Sequence, residues 1–304
     1  MSVLIRDRAD RCPGILRPWP AADGLLVRVR LVGGRITARQ LRGLSVAATV
    51  FGDGCVRPTT RANLQLRAFP GTDGVLDADA LAAIEASGLL PAPAHDRVRN
   101  ITVSPQTGLA GGRADLRPLA ADLDAQIVAS DVLPGLPGKF AFVLDDGRGD
   151  LIDRPCDVGL VALDAETVQL RVGEHYGAVV PLAAAARELI ALAELFCAAR
   201  GTGPTAPWHT YEMASPLVAP VDPDPRVPQA TGPLPFGPVP GGLHAPVGDD
   251  GLDPADVDAL LAGVDEVVFT PWKGVLIPSP TQVASSTHGG AAQADAGGSD
   301  AGQR

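Results

Sequence analysis

The apolar positions fall into short runs and alternations that predict a mixed helix and strand chain. Residues 24–30 begin apolar and end in period-two alternation, the mark of a strand with one buried face. Gly33-Gly34 marks a turn. Thr37 is placed to cap a helix over 38–50 with Leu41, Leu44, Ala48 and Phe51 on one face, and Gly52-Asp53-Gly54 ends it. Residues 56–66 read as a second strand interrupted around 61–63, followed by a helix near 78–86 after Asp77. Residues 98–103 predict a strand stopped at Ser104-Pro105, and Leu119, Leu123 and Ile127 predict a helix over 118–129. A short strand at 139–144 ends at Asp145-Asp146-Gly147. Residues 159–163 and 167–172 alternate and predict a hairpin, and 182–199 is the clearest helix.

Proline density then rises and periodicity vanishes over about 213–239, the composition of a linker. A strand over 241–247, a helix opened by Asp253-Pro254, and strand pieces at 267–270 and 275–277 follow. This order repeats that of the first region. Residues 59–66 align without gaps on 270–277, each starting with Thr. The last stretch, 281–304, is rich in Ala, Gly, Ser, Gln and Asp and is expected to be disordered.

The 304 residues and 46% hydrophobic content support a real core. The net charge of −10 argues against a general nucleic-acid binder. That charge is uneven: residues 1–100 are net +5, 101–200 net −6 and 201–304 net −9. A basic first third on an acidic chain fits a local anion site or ordinary surface charge. Only Lys139 and Lys273 are lysine among the 25 Lys and Arg. The start lacks the apolar core of a signal peptide, and no apolar run approaches the ~18 residues of a membrane span. A soluble, cytoplasmic chain with reduced thiols is expected, without nucleic-acid or membrane partners. Cys12, Cys55, Cys156 and Cys197 lie far apart, and the five histidines show no ligand spacing. Of these, His244 lies nearest the expected ligand face. Asp145, Asp146 and Asp150 read first as turn residues.

The most polar strand text is 57–67, Arg-Pro-Thr-Thr-Arg-Ala-Asn-Leu-Gln-Leu-Arg. Strict alternation would put Thr59, Arg61, Asn63, Gln65 and Arg67 on one face. Such a face is either solvated or turned to an anionic ligand, for which Arg suits bidentate carboxylate binding.

Thr60-Arg61 followed by Gln65 resembles the tetrapyrrole signature of the nitrite and sulfite reductase superfamily. Together with residues 10–16, 108–111, 145–150 and 270–274, the chain resembles precorrin-3B synthase over about 10–280. The resemblance implies an α+β fold. It comprises a ferredoxin-like half-domain (10–80), a nitrite/sulfite reductase-type α/β domain (95–212), a linker (213–239) and a second ferredoxin-like half-domain (240–280), before the tail. It implies that Arg61, Asn63, Gln65, Arg99, Asn100, Lys139 and Lys273 bind a polycarboxylate tetrapyrrole. The implied activity is that of an oxidoreductase of aerobic cobalamin biosynthesis, a monooxygenase hydroxylating precorrin-3A with lactone formation. Its implied requirements are dioxygen, NADH as reductant, iron and a [4Fe–4S] cluster. No catalytic residue is assigned.

Two departures matter. Sulfite reductases carry a Lys-x-Lys pair whose second position here is Ala141. The family's Cys-x5-Cys and Cys-x3-Cys cluster ligands are absent, and no cysteine follows Cys197. The chain is therefore expected to lack the cluster-bearing domain, which a separate polypeptide would supply. The alternatives are a non-catalytic tetrapyrrole-binding protein or remnant, or a siroheme-type nitrite or sulfite reductase.

Overall fold

In the computed structural model, which describes residues 10–279, two large hydrophobic cores are built from three main sheets and five α-helices, with a two-stranded ribbon of Gly71–Thr72 and Val75–Leu76 besides, among the described residues. The expectation of a disordered stretch at 281–304 lies outside the described residues.

The first and third regions are two copies of one motif. In the first, strands Trp19–Ala21, Gly24–Val29, Leu64–Phe69 and Arg57–Pro58 form an antiparallel sheet in that spatial order. Helix α1 (Ala38–Phe51) joins its halves. In the third, Gly237–Val239, Gly242–Pro246, Gly274–Pro278 and Glu266–Phe269 repeat the order, with α5 (Pro254–Leu260) as the joining helix. Strand Gly237–Val239 lies inside the predicted linker, where its Pro238 hid it. An edge strand tolerates proline because one side of its backbone needs no partner.

Both joining helices begin with a capping box. Thr37 accepts from Gln40 N and its own N–H is capped by the Gln40 side chain; Asp253 and Asp256 do the same for α5. The predicted start of α1 is thus met, and its ridge Leu41, Leu44, Ala47 and Ala48 is fully buried.

The copies exchange strands. Residues Arg35–Thr37, just before α1, pair antiparallel with Glu266–Val268 of the other copy. Leu252, just before α5, bridges Val56 of the first copy through two hydrogen bonds of 2.9 Å. A single core results, holding Val27, Leu44 and Leu66 together with Val257, Val267 and Val275. Gly34 makes the crossing possible. Its φ is +75°, and a Cβ there would stand 2.0 Å from the Phe269 carbonyl oxygen.

The second strand predicted at 56–66, with its interruption around 61–63, is a hairpin, with Arg57 opposite Gln65 and Pro58 opposite Leu64. Pro58 has no N–H to donate. Thr59 then closes a tight turn, its N–H donating to Asn63 O at 2.8 Å and its Oγ1 accepting from Asn63 N at 3.2 Å. Ala62 takes φ +55°. The aligned turn at 270–274 is built the same way: Thr270 N donates to Gly274 O at 2.9 Å, and Lys273 takes φ +56°.

The middle region is an α/β unit with its own core. Its sheet runs His175–Pro181, Thr167–Val172, Val158–Ala162, Phe142–Asp145, Ile101–Val103, with the last three strands parallel. Helices α3 (Arg117–Ala129) and α4 (Ala185–Ala199) bring Leu119, Leu123, Ile127, Leu189 and Phe196 into that core. The short helix α2 (Ala78–Glu85) packs Ala80 and Ile84 beside α1.

Leu44→Ala is expected to cost about 2–5 kcal/mol. Because the core is shared, hydrogen exchange should show amides of Val27, Leu66, Val267 and Val275 losing protection together.

Candidate functional site

Residues 59–63, the turn that opens Leu64–Phe69, lie against the α/β unit. The contact is polar and buried. Asn63 Oδ1 accepts from Leu31 N at 3.0 Å, and its Nδ2 donates to Asn100 Oδ1 at 3.4 Å. Asn100 Oδ1 also accepts from Arg30 Nε at 3.0 Å. Its Nδ2 donates to the carbonyls of Arg97, Gly138 and Phe140 at 3.0–3.2 Å. Asn63 and Asn100 are thus buried fasteners with every polar atom used. Arg30, 4% exposed, is pulled down to about 10 by burial, opposed by nearby Asp96, and so stays charged at neutral pH.

The segment 10–16 joins the same junction. Asp96 Oδ2 accepts from Ile15 N and Leu16 N at 2.8 and 3.0 Å. Gly14 is required there, since a Cβ would lie 2.1 Å from that oxygen. Asp10 accepts from Gly138 N and Cys12 N, which fixes the backbone leading into Lys139.

Beside this junction opens a cavity of about 160 Å³, lined by Thr60 and Arg61 of the turn, Thr102, Lys139, Ala141, Arg154, and His209 with Tyr211. Three basic side chains therefore meet on it. Lys139 Nζ lies 5.3 Å from the Trp208 ring centroid, a cation–π contact. Arg154 Nη2 donates to the Thr60 carbonyl and, at 3.5 Å, to that of Pro271, so it ties the two equivalent turns together. Its pKa is lowered by burial and by the neighbouring Arg61. Asp157, 1% exposed, takes His209 Nδ1 at 3.0 Å and the backbone N–H groups of Ala141 and Thr210 at 2.8 and 2.9 Å.

Residues 20–73, which hold the Arg61 turn, match the family described as the nitrite/sulfite reductase ferredoxin-like half domain. The segment is similar to such a half domain. Precorrin-3B synthase from Sinorhizobium sp is 33% identical over 144 residues, 46% of this chain and 29% of that one. The ferredoxin–nitrite reductase of Synechococcus elongatus is 32% identical over 155 residues, covering 48% of this chain and 30% of the relative. The match spans about a third of each curated relative's length. The structure of the Mycobacterium tuberculosis NirA protein superposes with a TM-score of 0.64 at 19% identity, covering 84% of this chain and 54% of that one, a likeness of fold. The chain thus resembles the nitrite and sulfite reductase superfamily and, within it, precorrin-3B synthase.

The remaining residues expected at the site of this half domain lie elsewhere. The one-faced array Thr59, Arg61, Asn63, Gln65, Arg67 does not form, because the chain turns back at 59–63. Gln65 Oε1 accepts from Arg28 Nη2 at 3.1 Å, and Arg67 pairs with Asp23 at 2.9 Å. Arg99 forms a two-pronged ion pair with Asp124 of α3 at 2.6 and 2.8 Å and lines a different cavity of about 450 Å³. Lys273 is half-exposed and pairs with Asp249 at 2.9 Å. Its neighbour Trp272 packs against the small cluster of Val143, Leu151 and Cys156, two of which, Val143 and Cys156, line the cavity. His244 is buried; its ring joins Pro235 O and Thr270 Oγ1, which holds the 270–274 turn. Arg154, Asp157, His209 and Tyr211 carry no spacing signal in the sequence and are assembled only by the fold.

The described residues do not fit a four-thiolate cluster. The four cysteines lie on separate elements, and no group of three metal-ligating side chains occurs among the described residues. Burial pushes Cys156 up to about 12 and Cys197 up to about 11, away from the thiolate form. No helix among the described residues is long and apolar enough to cross a membrane.

The loop after Phe142–Asp145 is a turn, as its residues predict: Asp145 accepts from the N–H groups of Gly147, Gly149 and Leu151 at 2.9–3.0 Å. Asp146 pairs with Arg148. Asp150 is different. Ser104 Oγ donates to its Oδ1 at 2.7 Å, while its buried Oδ2 has no partner. Burial, with Asp145 close by, raises this carboxyl from 3.8 to about 7. Between those values the folded state holds a proton that the unfolded state has lost. Stability from this group is therefore full below about 3.8 and falls as the pH rises towards 7. Urea titrations across that range should show the fall, and Asp150→Asn should flatten it.

Proposed function

We propose that the chain forms the tetrapyrrole-binding part of a precorrin-3B synthase-like oxidoreductase. The observation that carries this reading is the convergence of Arg61, Lys139 and Arg154 on one cavity, on an otherwise acidic chain. Arginine and lysine facing a common hollow suit the carboxylates of a polycarboxylate tetrapyrrole. A 160 Å³ hollow is smaller than a ligand pocket that engulfs its guest, ordinarily about 300–1,000 Å³. It would take a carboxylate arm or one edge of the ring, with the macrocycle lying across the mouth beside the 59–63 turn.

In this reading the substrate is precorrin-3A. Dioxygen supplies the hydroxyl oxygen, a ring acetate closes to a lactone, and a reductant, for which the resemblance implies NADH, carries the second oxygen atom to water. Iron and a [4Fe–4S] cluster would supply the redox chemistry. The four cysteines of the described residues do not make a cluster site, and the part proposed for these residues is to bind and orient the ring. The alternative of a siroheme-type reductase is disfavoured by Ala141, where the resemblance puts the second cationic lysine.

The test is a fluorescence titration with uroporphyrin, a polycarboxylate porphyrin. Arg61→Ala and Lys139→Ala should each weaken binding about tenfold or more, as expected for lost charged hydrogen bonds. Lys273→Ala should change it less than about threefold, as for an exposed ion pair. Unchanged titrations for Arg61→Ala and Lys139→Ala would remove the cavity from the tetrapyrrole site.

A further inference from the structure

The cavity holds one side chain that is built for more than packing. His209 sits in the segment after α4, with its ring stacked on Tyr211 at 4.8 Å and an interplanar angle of 9°. Its Nδ1 lies 3.0 and 3.2 Å from the two oxygens of Asp157. A carboxylate only accepts, so Nδ1 carries the hydrogen and Nε2 is left with its lone pair in the neutral ring. Nε2 has no hydrogen-bond partner among the described residues, and the ring lines the cavity.

Asp157 cannot swing to release the ring. Ala141 N donates to its Oδ2 at 2.8 Å and Thr210 N to its Oδ1 at 2.9 Å. Thr210 Oγ1 adds a bond of 3.0 Å to the Asp157 carbonyl. The dyad is thus anchored on the backbone of Ala141 itself, the position where the resemblance places a second lysine.

The charged and titratable groups around the ring can be named. Arg61, Lys139 and Arg154 face the cavity with it, and Asp157 lies behind it. Cys156, pushed up to about 12, stays a neutral thiol, and Tyr211 covers one face. On the far side Glu212 accepts from Trp208 N at 2.7 Å. An anion entering between the three cations meets the Nε2 lone pair of a neutral ring, which repels it. A proton on Nε2 turns the same atom into a donor.

We infer that His209, held by Asp157, replaces the missing second lysine and binds a carboxylate of the ligand through Nε2–H, taking up a proton as the ligand binds. This rests on the cavity being the tetrapyrrole site. His209 is then a binding group, and Asp157 is a positioning residue that sets its tautomer.

The test is calorimetry of uroporphyrin binding to the full chain in buffers of differing ionisation enthalpy, near neutral pH. The native protein should take up a fraction of a proton per ligand bound. His209→Asn keeps a donor at the place of Nδ1, and so the Asp157 contact, but has nothing at Nε2. It should melt like the native protein, bind about tenfold more weakly and take up no proton through this site. His209→Gln places an amide near Nε2; it should recover most of the affinity and still take up no proton. Native binding without proton uptake, or unchanged affinity and uptake in His209→Asn, would overturn the inference. If Arg61→Ala weakens binding while His209→Asn does neither, the cavity reading stands and this inference alone falls. If the native protein binds no uroporphyrin, the site reading falls and takes this inference with it.

Discussion

The structure depends on one buried polar junction. Asn100 receives Arg30 and Asn63 on its oxygen and spends its amide hydrogens on three carbonyls of the α/β unit. Burying so many polar groups is tolerable only because each is paired; removal of one partner would leave the others desolvated and unsatisfied. The junction therefore fixes one relative placement of the half domain and the α/β unit. That placement brings the Arg61 turn beside Lys139. A greasy interface could slide by an ångström and keep its energy; this one loses hydrogen bonds when it slides, so the cavity between the two units has a defined shape.

The motif Arg61, Asn63, Gln65 combines different physical tasks in five residues. Arg61 faces the cavity, Asn63 fastens the turn that presents it, and Gln65 supports Arg28 on the sheet. A sequence signature records which residues occur together, not which of them touches a ligand. The same holds for Arg99-Asn100, where the arginine braces α3 and the asparagine holds the junction.

Much of the fold was legible in the chain. The apolar ridge of α1, its cap at Thr37 and the alternation of the middle hairpin are local signals, and local signals survive folding. The repeat was also legible, through a weak alignment that starts at Thr59 and Thr270, and the two turns share a backbone path down to the positive φ at Ala62 and Lys273. The hairpin at 57–69 was legible only as an interruption around 61–63, because alternation counts residues along a straight strand and is blind to a reversal set by Pro58 and Thr59. The site was legible only in part. Arg61 and Lys139 stand in recognisable text. Arg154, Asp157 and His209 come from loops separated by up to 55 residues, and nothing in their spacing announces that a parallel sheet will gather them.

The reciprocal exchange between the two copies has a consequence for how the chain is constructed. Each copy contributes the strand or bridge that completes the other's edge, as two subunits do in a domain-swapped dimer. The chain between them, the α/β unit followed by the proline-rich stretch, holds the two copies at high local concentration. Geometrically the two copies stand like the two subunits of a homodimer carried on one chain. That arrangement frees the two faces from having to be identical. One copy presents Arg61 to the cavity while its twin packs Trp272 behind it and pairs Lys273 with Asp249, an asymmetry that no true two-fold dimer could hold.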